Sequence, residues 1–285
     1  MQCVMHWKDS SGVTLSVLID GGNKMLSDFN VIVRRFDSAI KIACISDVHY
    51  GALEHMEREW KNFIQKVLAD PNMYLILNGD LINNNTRSSV GSPWDDTVRP
   101  REQKKHMVEF LKPVKDRILC CVSGNHERRS LKDADDDPTY DIMAKLDLED
   151  VYRQNAAFMK LQLGQRCPSD DRASATYTFA VTHGSGGGVY TGATVNRNER
   201  WGNVIEGLDC LVVGQTHKGT VTRPSKIVFD PRNDIVTMKD YLVVSSVAWQ
   251  NYGEYALQKM LLPSMTGNPQ ILHLSDKDKY IEVRW

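Results

Sequence analysis

The chain has 285 residues, 41% of them hydrophobic and 25% charged, with a formal net charge of −1; this excludes a disordered chain and leaves enough apolar side chains for a sizeable core. A charge so near zero announces neither a nucleic-acid nor a membrane-surface binder, although it is compatible with a local basic patch. No basic-then-apolar leader opens the sequence, and no apolar run approaches the roughly 18 residues needed to cross a bilayer, so a soluble, cytoplasmic protein with no membrane partner is expected.

In chain order, Gly12–Asp20 and Asn30–Phe36 alternate apolar and polar residues and predict a hairpin or edge strands outside the main unit, in an extension over residues 1–39. Four short apolar runs then end abruptly in small or polar residues. They are Ile40–Ile45 before Ser46 and Asp47, Tyr74–Leu77 before Asn78, Gly79 and Asp80, Ile118–Val122 before Ser123, Gly124 and Asn125, and Cys210–Val213 before Gly214 and Gln215. A fifth, Tyr177–Val181, runs into Thr182, His183 and Gly184. Their length and Ile, Leu and Val content suit strands buried on both faces.

Between the first two runs, Met56, Trp60, Phe63, Ile64, Val67 and Leu68 fall on one face of a helix over Leu53–Ala69. Between the next two, a helix is predicted over Gln103–Asp116, its last turn weakened by Pro113. This strand–helix alternation is the signature of right-handed βαβ crossovers. Shorter helices are expected over Tyr140–Leu146 and Val195–Glu206. Phe158–Leu163, Thr176–Val181, Lys226–Phe229, Ile235–Met238 and Tyr241–Val247 read as strands of a second sheet. The expected fold is α/β, two mixed β-sheets packed face to face and flanked by helices, over residues 40–257, with residues 258–285 as an extension packed on the same domain. Of the six cysteines, Cys44, Cys120, Cys121 and Cys210 sit inside apolar runs and no C-x-x-C pair occurs, so reduced core thiols in a reducing cytosol are expected.

Each core strand ends in possible metal ligands: Asp47 and His49, Asp80, Asn125 with His126, His183, then Gln215 with His217. Ligands of open α/β sheets bind at the carboxyl ends of strands, so these five ends can converge on one cavity. Singly each piece is weak, because Asp-x-His and Gly-Asp occur by chance and a lone His after a strand is usually a hydrogen-bonded structural residue. As an ordered set of carboxylate, imidazole and amide groups they suit hard-to-borderline divalent metals, and the absence of thiolates argues against a structural zinc site.

Asp47-x-His49, Gly79-Asp80, Gly124-Asn125-His126-Glu127, Thr182-His183-Gly184 and Gly214-Gln215-Thr216-His217 resemble, in order, the five motifs of the calcineurin-like metallophosphoesterases, D-x-H, G-D, G-N-H-[ED], H and G-H-x-H. The resemblance spans residues from about 40 to 220 and implies an αββα sandwich with two divalent ions, Mn²⁺ first, with Mg²⁺, Zn²⁺, Fe²⁺ or Ni²⁺ as alternatives. It implies Asp47, His49 and His217 on the first metal, Asp80 bridging, and Asn125, His183 and position 215 on the second. It also implies a water or hydroxide shared between the metals that attacks phosphorus in line. His126 would act as general acid or as a donor to a phosphate oxygen, with Glu127 or a nearby Asp holding its protonated form. One departure is Gln215, where the family carries His; an amide oxygen is the weaker ligand for borderline metals and loosens the second site.

Arg128 and Arg129 could clamp a substrate phosphate or be solvated loop charges. The glycine cluster after His183 fits a gating loop or an ordinary turn, and Asn83, Asn84 and Asn85 fit phosphate contacts or plain turn formers. The Ser/Thr protein phosphatases carry G-D-x-V-D-R-G where this chain has Gly79-Asp80-Leu81-Ile82-Asn83-Asn84-Asn85, and an Arg where it has Ser123, which disfavours that activity. The expected function is a phosphodiesterase or nuclease acting on nucleotides or nucleic acid, the alternatives being a phosphomonoesterase of the same fold or a degenerate binding scaffold. A local basic set, Arg99, Arg101, Lys104 and Lys105, could track a phosphate backbone, opposed by the acidic run Asp133–Asp137.

Overall fold

The computed structural model describes residues 3–8, 14–19, 29–89, 91–92, 94–164 and 175–285. The chain divides into two compact units, Met1–Asn30 and Val31–Trp285. In the first, β1 (Cys3–Lys8) pairs antiparallel with β2 (Thr14–Ile19).

The larger unit runs in chain order through β3 (Val31–Phe36), β4 (Ile40–Ile45), α1 (Glu57–Ala69), β5 (Met73–Asn78), α2 (Pro100–Leu111), β6 (Ile118–Val122), α3 (Glu127–Ala134) and α4 (Pro138–Ala144). It continues through β7 (Tyr152–Arg153), β8 (Ala156–Leu163), β9 (Ala175–Thr182), α5 (Thr191–Val204), β10 (Cys210–Val213), β11 (Thr220–Thr222), β12 (Ser225–Asp230) and β13 (Ile235–Asp240). It ends with β14 (Leu242–Ser245), α6 (Glu254–Gln258), β15 (Ile271–Leu274) and β16 (Ile281–Arg284).

Two six-stranded mixed sheets result, ordered β16-β15-β4-β5-β6-β7 and β11-β14-β10-β9-β8-β3, with β12 and β13 forming a separate hairpin. In the first sheet β4, β5 and β6 are parallel and almost wholly buried, the burial expected of strands covered on both faces. β8 instead alternates buried and half-buried residues, one face turned to the core. A single apolar core joins Ile42, Ile76 and Cys120 of the first sheet to Met159, Leu161 and Phe179 of the second, so the sheets pack face to face.

Helices close both outer faces. Trp60, Phe63, Ile64 and Val67 of α1 and Met107 and Leu111 of α2 are buried in the main core, with Trp60 edge-on to Trp249 at 5.2 Å. Trp201 of α5 and Ile205 just beyond it pack on a second cluster containing Leu211, Val213 and Val243. The layers are helix, sheet, sheet, helix, as the apolar runs predict. The helix expected to reach Asp116 changes at Leu111 into a 3-10 turn over Lys112–Arg117, because Pro113 lacks the N–H that another α-turn requires.

Both terminal segments of the main unit are strands of its sheets. Val31–Phe36 is not outside the main unit; β3 is the edge strand of the second sheet, parallel to β8 from Val31 opposite Phe158 to Phe36 opposite Leu163. The carboxyl-terminal residues enter the first sheet, where β15 lies antiparallel beside β4. Alternation identifies a strand but carries no information about its partner. Among the described residues no helix is long and apolar enough to cross a membrane. Cys44, Cys120, Cys121 and Cys210 are free and buried, and burial pushes the Cys120 thiol up to about 12, which makes it inert as a nucleophile.

Candidate metal centre

The turns that leave β4, β5, β6, β9 and β10 carry Asp47 and His49, Asp80, Asn125 and His126, His183, and Gln215 and His217. The backbone there is unusual. Asp47 (φ 53°), His49 (47°), Asp80 (53°), Gln215 (69°) and His217 (56°) all lie in the left-handed region. Asp, Asn and His tolerate that region better than most residues, and such strain gathers at functional sites. Main-chain bonds fix the turns: the Asp47 N–H donates to the Gly79 carbonyl at 3.0 Å, the His49 N–H to the Asp80 carbonyl at 2.9 Å and the Trp249 N–H to the Asp47 carbonyl at 2.9 Å. Gly124 has no alternative, since a Cβ there would stand 2.0 Å from Asp80 Oδ1.

The side chains converge. His217 Nε2 lies 3.2 Å from Asp47 Oδ1 and 3.2 Å from His49 Nε2, and His49 Nε2 is 3.7 Å from Asp47 Oδ1. Asp80 Oδ2 is 3.7 Å from His49 Nε2 on one side and 3.2 Å from His183 Nε2 on the other. Asn125 Oδ1 lies 3.0 Å from His183 Nε2. Asp80 therefore sits between a group made of Asp47, His49 and His217 and a group made of His183 and Asn125. Gln215 contributes its main-chain N–H, which donates to Asp47 Oδ2 at 3.0 Å.

These atoms are suited to cations. Asp47 Oδ1 is buried and accepts no hydrogen bond, an arrangement costly for an anionic oxygen unless a cation answers it. Burial alone would favour a neutral Asp47, but His217 and His49 hold its carboxyl well below the usual range. Against the same effect of burial, His183 and His126 hold Asp80 low. The carboxylates answer in kind: although burial opposes it, Asp80 raises His183 to about 10. The proton favoured on His183 competes with a metal there, so loading at His183 releases it and weakens as pH falls.

Surrounding groups orient the ligands. His183 Nδ1 donates to the Asn78 carbonyl at 2.8 Å, and Ser46 Oγ donates to Asp47 Oδ2 at 2.5 Å and shares the same carbonyl at 3.1 Å; bonds of this kind fix ring tautomer and carboxylate angle. His126 donates from Nδ1 to the Asn83 carbonyl at 2.7 Å, leaving Nε2 to face Asp80 Oδ2 at 3.9 Å, and its main-chain N–H donates to Asp80 Oδ1 at 2.8 Å. Burial, only partly opposed by Asp80, pushes the His126 imidazole down to about 3.

Glu127 does not hold His126. Its carboxylate accepts the main-chain N–H groups of Asp80 and Gly124 at 3.0 Å and of Ile82 at 3.1 Å, and burial with the nearby Asp80 raises it to about 7. It is the clamp that locks two ligand turns together. Glu127→Ala orphans three buried donors at about 1–3 kcal/mol each, so a loss of at least about 3 kcal/mol is expected. The denaturation midpoint of the metal-free protein measures it, and an unchanged midpoint would remove Glu127 from this role.

The two arginines part company. Arg128 donates to the carbonyls of Ser123 and Gln154, whereas Arg129 donates to the Asn83 carbonyl that also holds His126, and to Asn85 Oδ1 at 3.0 Å. The structure thus brings Arg129, not Arg128, beside His126. The asparagines are structural pins: Asn84 donates to the His126 carbonyl, and Asn83 and Asn85 donate to Asp96. Asp96 in turn accepts from Gln103, whose oxygen takes the Asn84 N–H. Neither Asp96 nor Gln103 carries a sequence signal, since a carboxylate in a loop and an amide in a helix are commonplace. The basic set is partly spent internally: Lys104 pairs with Asp141 at 2.7 Å and Asp136 at 3.2 Å, and Arg99 stacks over Trp94 at 4.2 Å.

A family model described as calcineurin-like phosphoesterase matches residues 40–219. Comparison with curated proteins finds no match. Among solved structures, the chain is similar to a conserved protein of Streptococcus pneumoniae TIGR4 described as a predicted phosphoesterase, at 10% identity and a TM-score of 0.35, over 87% of this chain and 98% of that one. It is also similar to a cold-active protein-tyrosine phosphatase of a psychrophilic Shewanella species, at 12% identity and a TM-score of 0.32, over 97% of this chain and 91% of that one.

Proposed function

The chain belongs to the calcineurin-like phosphoesterase family, and from that premise we propose that it is a metal-dependent phosphodiesterase, with nucleotides or nucleic acid as its substrate class. Asp47, His49 and His217 would hold one divalent ion and Asn125, His183 and Gln215 the other, with Asp80 shared between them. When bound, the ions supply Lewis-acid polarisation of the phosphoryl oxygens and a nucleophile at neutral pH. Imidazole and amide-oxygen donors together favour Mn²⁺ among the candidates.

The preference for a diester is carried by the arginines. A phosphomonoester brings two negative charges and a diester one, so a monoesterase benefits most from guanidinium groups free to form bidentate pairs with the ester. Here both Arg128 and Arg129 are engaged by main-chain carbonyls, which suits the singly charged ester. His126, tethered at Nδ1, points Nε2 toward Asp80; its ring is neutral in the substrate-free protein, and a bound phosphate anion would favour protonation at Nε2, from which the proton could pass to the departing alkoxide. Asn84 and Glu127 hold the two main-chain turns that frame it. The buried free thiols support a reducing compartment such as the cytoplasm.

Metal-stripped protein reloaded separately with Mn²⁺, Mg²⁺ and Zn²⁺ should hydrolyse bis-p-nitrophenyl phosphate faster than p-nitrophenyl phosphate, Mn²⁺ giving the highest rate. Faster cleavage of the monoester would overturn the diester preference, and silence on both esters with every ion would overturn the enzyme reading.

A further inference from the structure

The β12–β13 hairpin belongs to neither large sheet, and both its outer edges are unpaired among the described residues. Its register places Ile227 opposite Met238 and Phe229 opposite Val236. Residues directly opposite in an antiparallel pair share a face, so these four side chains form one surface. They are 79%, 76%, 65% and 66% exposed in that order. The other face is fastened to the body near the base of the hairpin: Lys226 Nζ donates to the carbonyls of Gly202 and Ile205 and lies over the Tyr241 ring, and Lys239 pairs with Asp209 at 3.6 Å. The hairpin is thus anchored by its lysine face and presents its apolar face outward. A two-stranded ribbon is marginal in water, and a contiguous apolar patch of this kind marks an interaction surface.

We propose that this face is the contact surface for a second copy of the chain, meeting its equivalent across a two-fold axis. The four residues expose on the order of 500 Å² per chain, so two faces buried against each other approach roughly 1,000 Å², the size at which a complementary contact counts as a specific interface. The surface carries no charge that would repel its own copy. Both signs occur at each end, Arg223 paired with Asp240 at 3.1 Å at the base, and Arg232 and Asp234 both in the turn at the tip, so a two-fold partner meets a mixed rim. The net charge of −1 adds little repulsion between copies.

Sedimentation of the full chain over a concentration series tests this. The expected result is a reversible monomer–dimer equilibrium that weakens at least about 100-fold in Ile227→Thr with Phe229→Glu, metal content and circular dichroism being unchanged. Val236→Thr with Met238→Glu should do the same from the other strand, and it decides the matter if the first pair fails to fold. A wild-type chain that stays monomeric at about 0.1 mM, well above the micromolar range expected of such an interface, overturns the proposal. So does a dimer that survives both double variants.

Discussion

Asp80→Asn is expected to strip both metal positions together and to lower turnover by more than the roughly 10²–10³-fold cost of deleting one transition-state hydrogen-bond donor. The substitution keeps the shape of the side chain, and asparagine tolerates the left-handed backbone that Asp80 adopts at φ 53°, so the turn should survive. What changes is charge. Asp80 Oδ2 stands between His49 and His183, where one anionic carboxylate can offset repulsion between two dications; an amide that keeps its oxygen for the His126 N–H puts an NH2 group where Oδ2 stood, which cannot ligate. Metal analysis of the purified variant, alongside its rate on the diester, checks this. Two retained ions with full activity would rule out the bridge.

His126→Ala is expected to lower turnover by roughly 10²–10⁴-fold, the usual share of general acid–base catalysis, while leaving metal content intact. The effect should shrink for a p-nitrophenolate leaving group, which departs without a proton, and grow for an alkyl or nucleoside leaving group. That contrast separates proton transfer from a structural role. The geometry also allows a rival outcome, because His126 Nε2 falls in one cluster with His49 and Asp80. Loss of metal in the variant would make His126 a ligand and end the proton-transfer reading.

The strands that build the centre were legible because strands buried on both faces cannot carry polar residues, so each apolar run stops where the ligands begin. The same rule placed Asp47, Asp80 and His183 at strand ends that the structure brings within ligand distance of one another. α3 was not legible: Leu131 is the one large apolar residue in Glu127–Ala134, too few to set a helical period, and the helix is anchored instead by Glu127 at its start. Without that helix the roles of Arg128 and Arg129 could not be told apart, since adjacent helical residues diverge by about 100°. The places of β3 and β15 depend on pairing across long stretches of chain, which alternation does not encode.

The position of β15 has a consequence for the order in which the protein becomes functional. Trp249 holds the Asp47 carbonyl, Ser264 donates to the His217 carbonyl, and β15 pairs with β4, the strand that delivers Asp47 and His49. All three supports come from residues that follow every ligand in the chain. During synthesis β4, β5 and β6 can associate as a parallel core well before those residues emerge, with the far edge of β4 bare. The ligand turns therefore gain their full set of supports only once residues through Leu274 have been synthesised, and until then the uncovered edge of β4 is a surface for chaperones to guard.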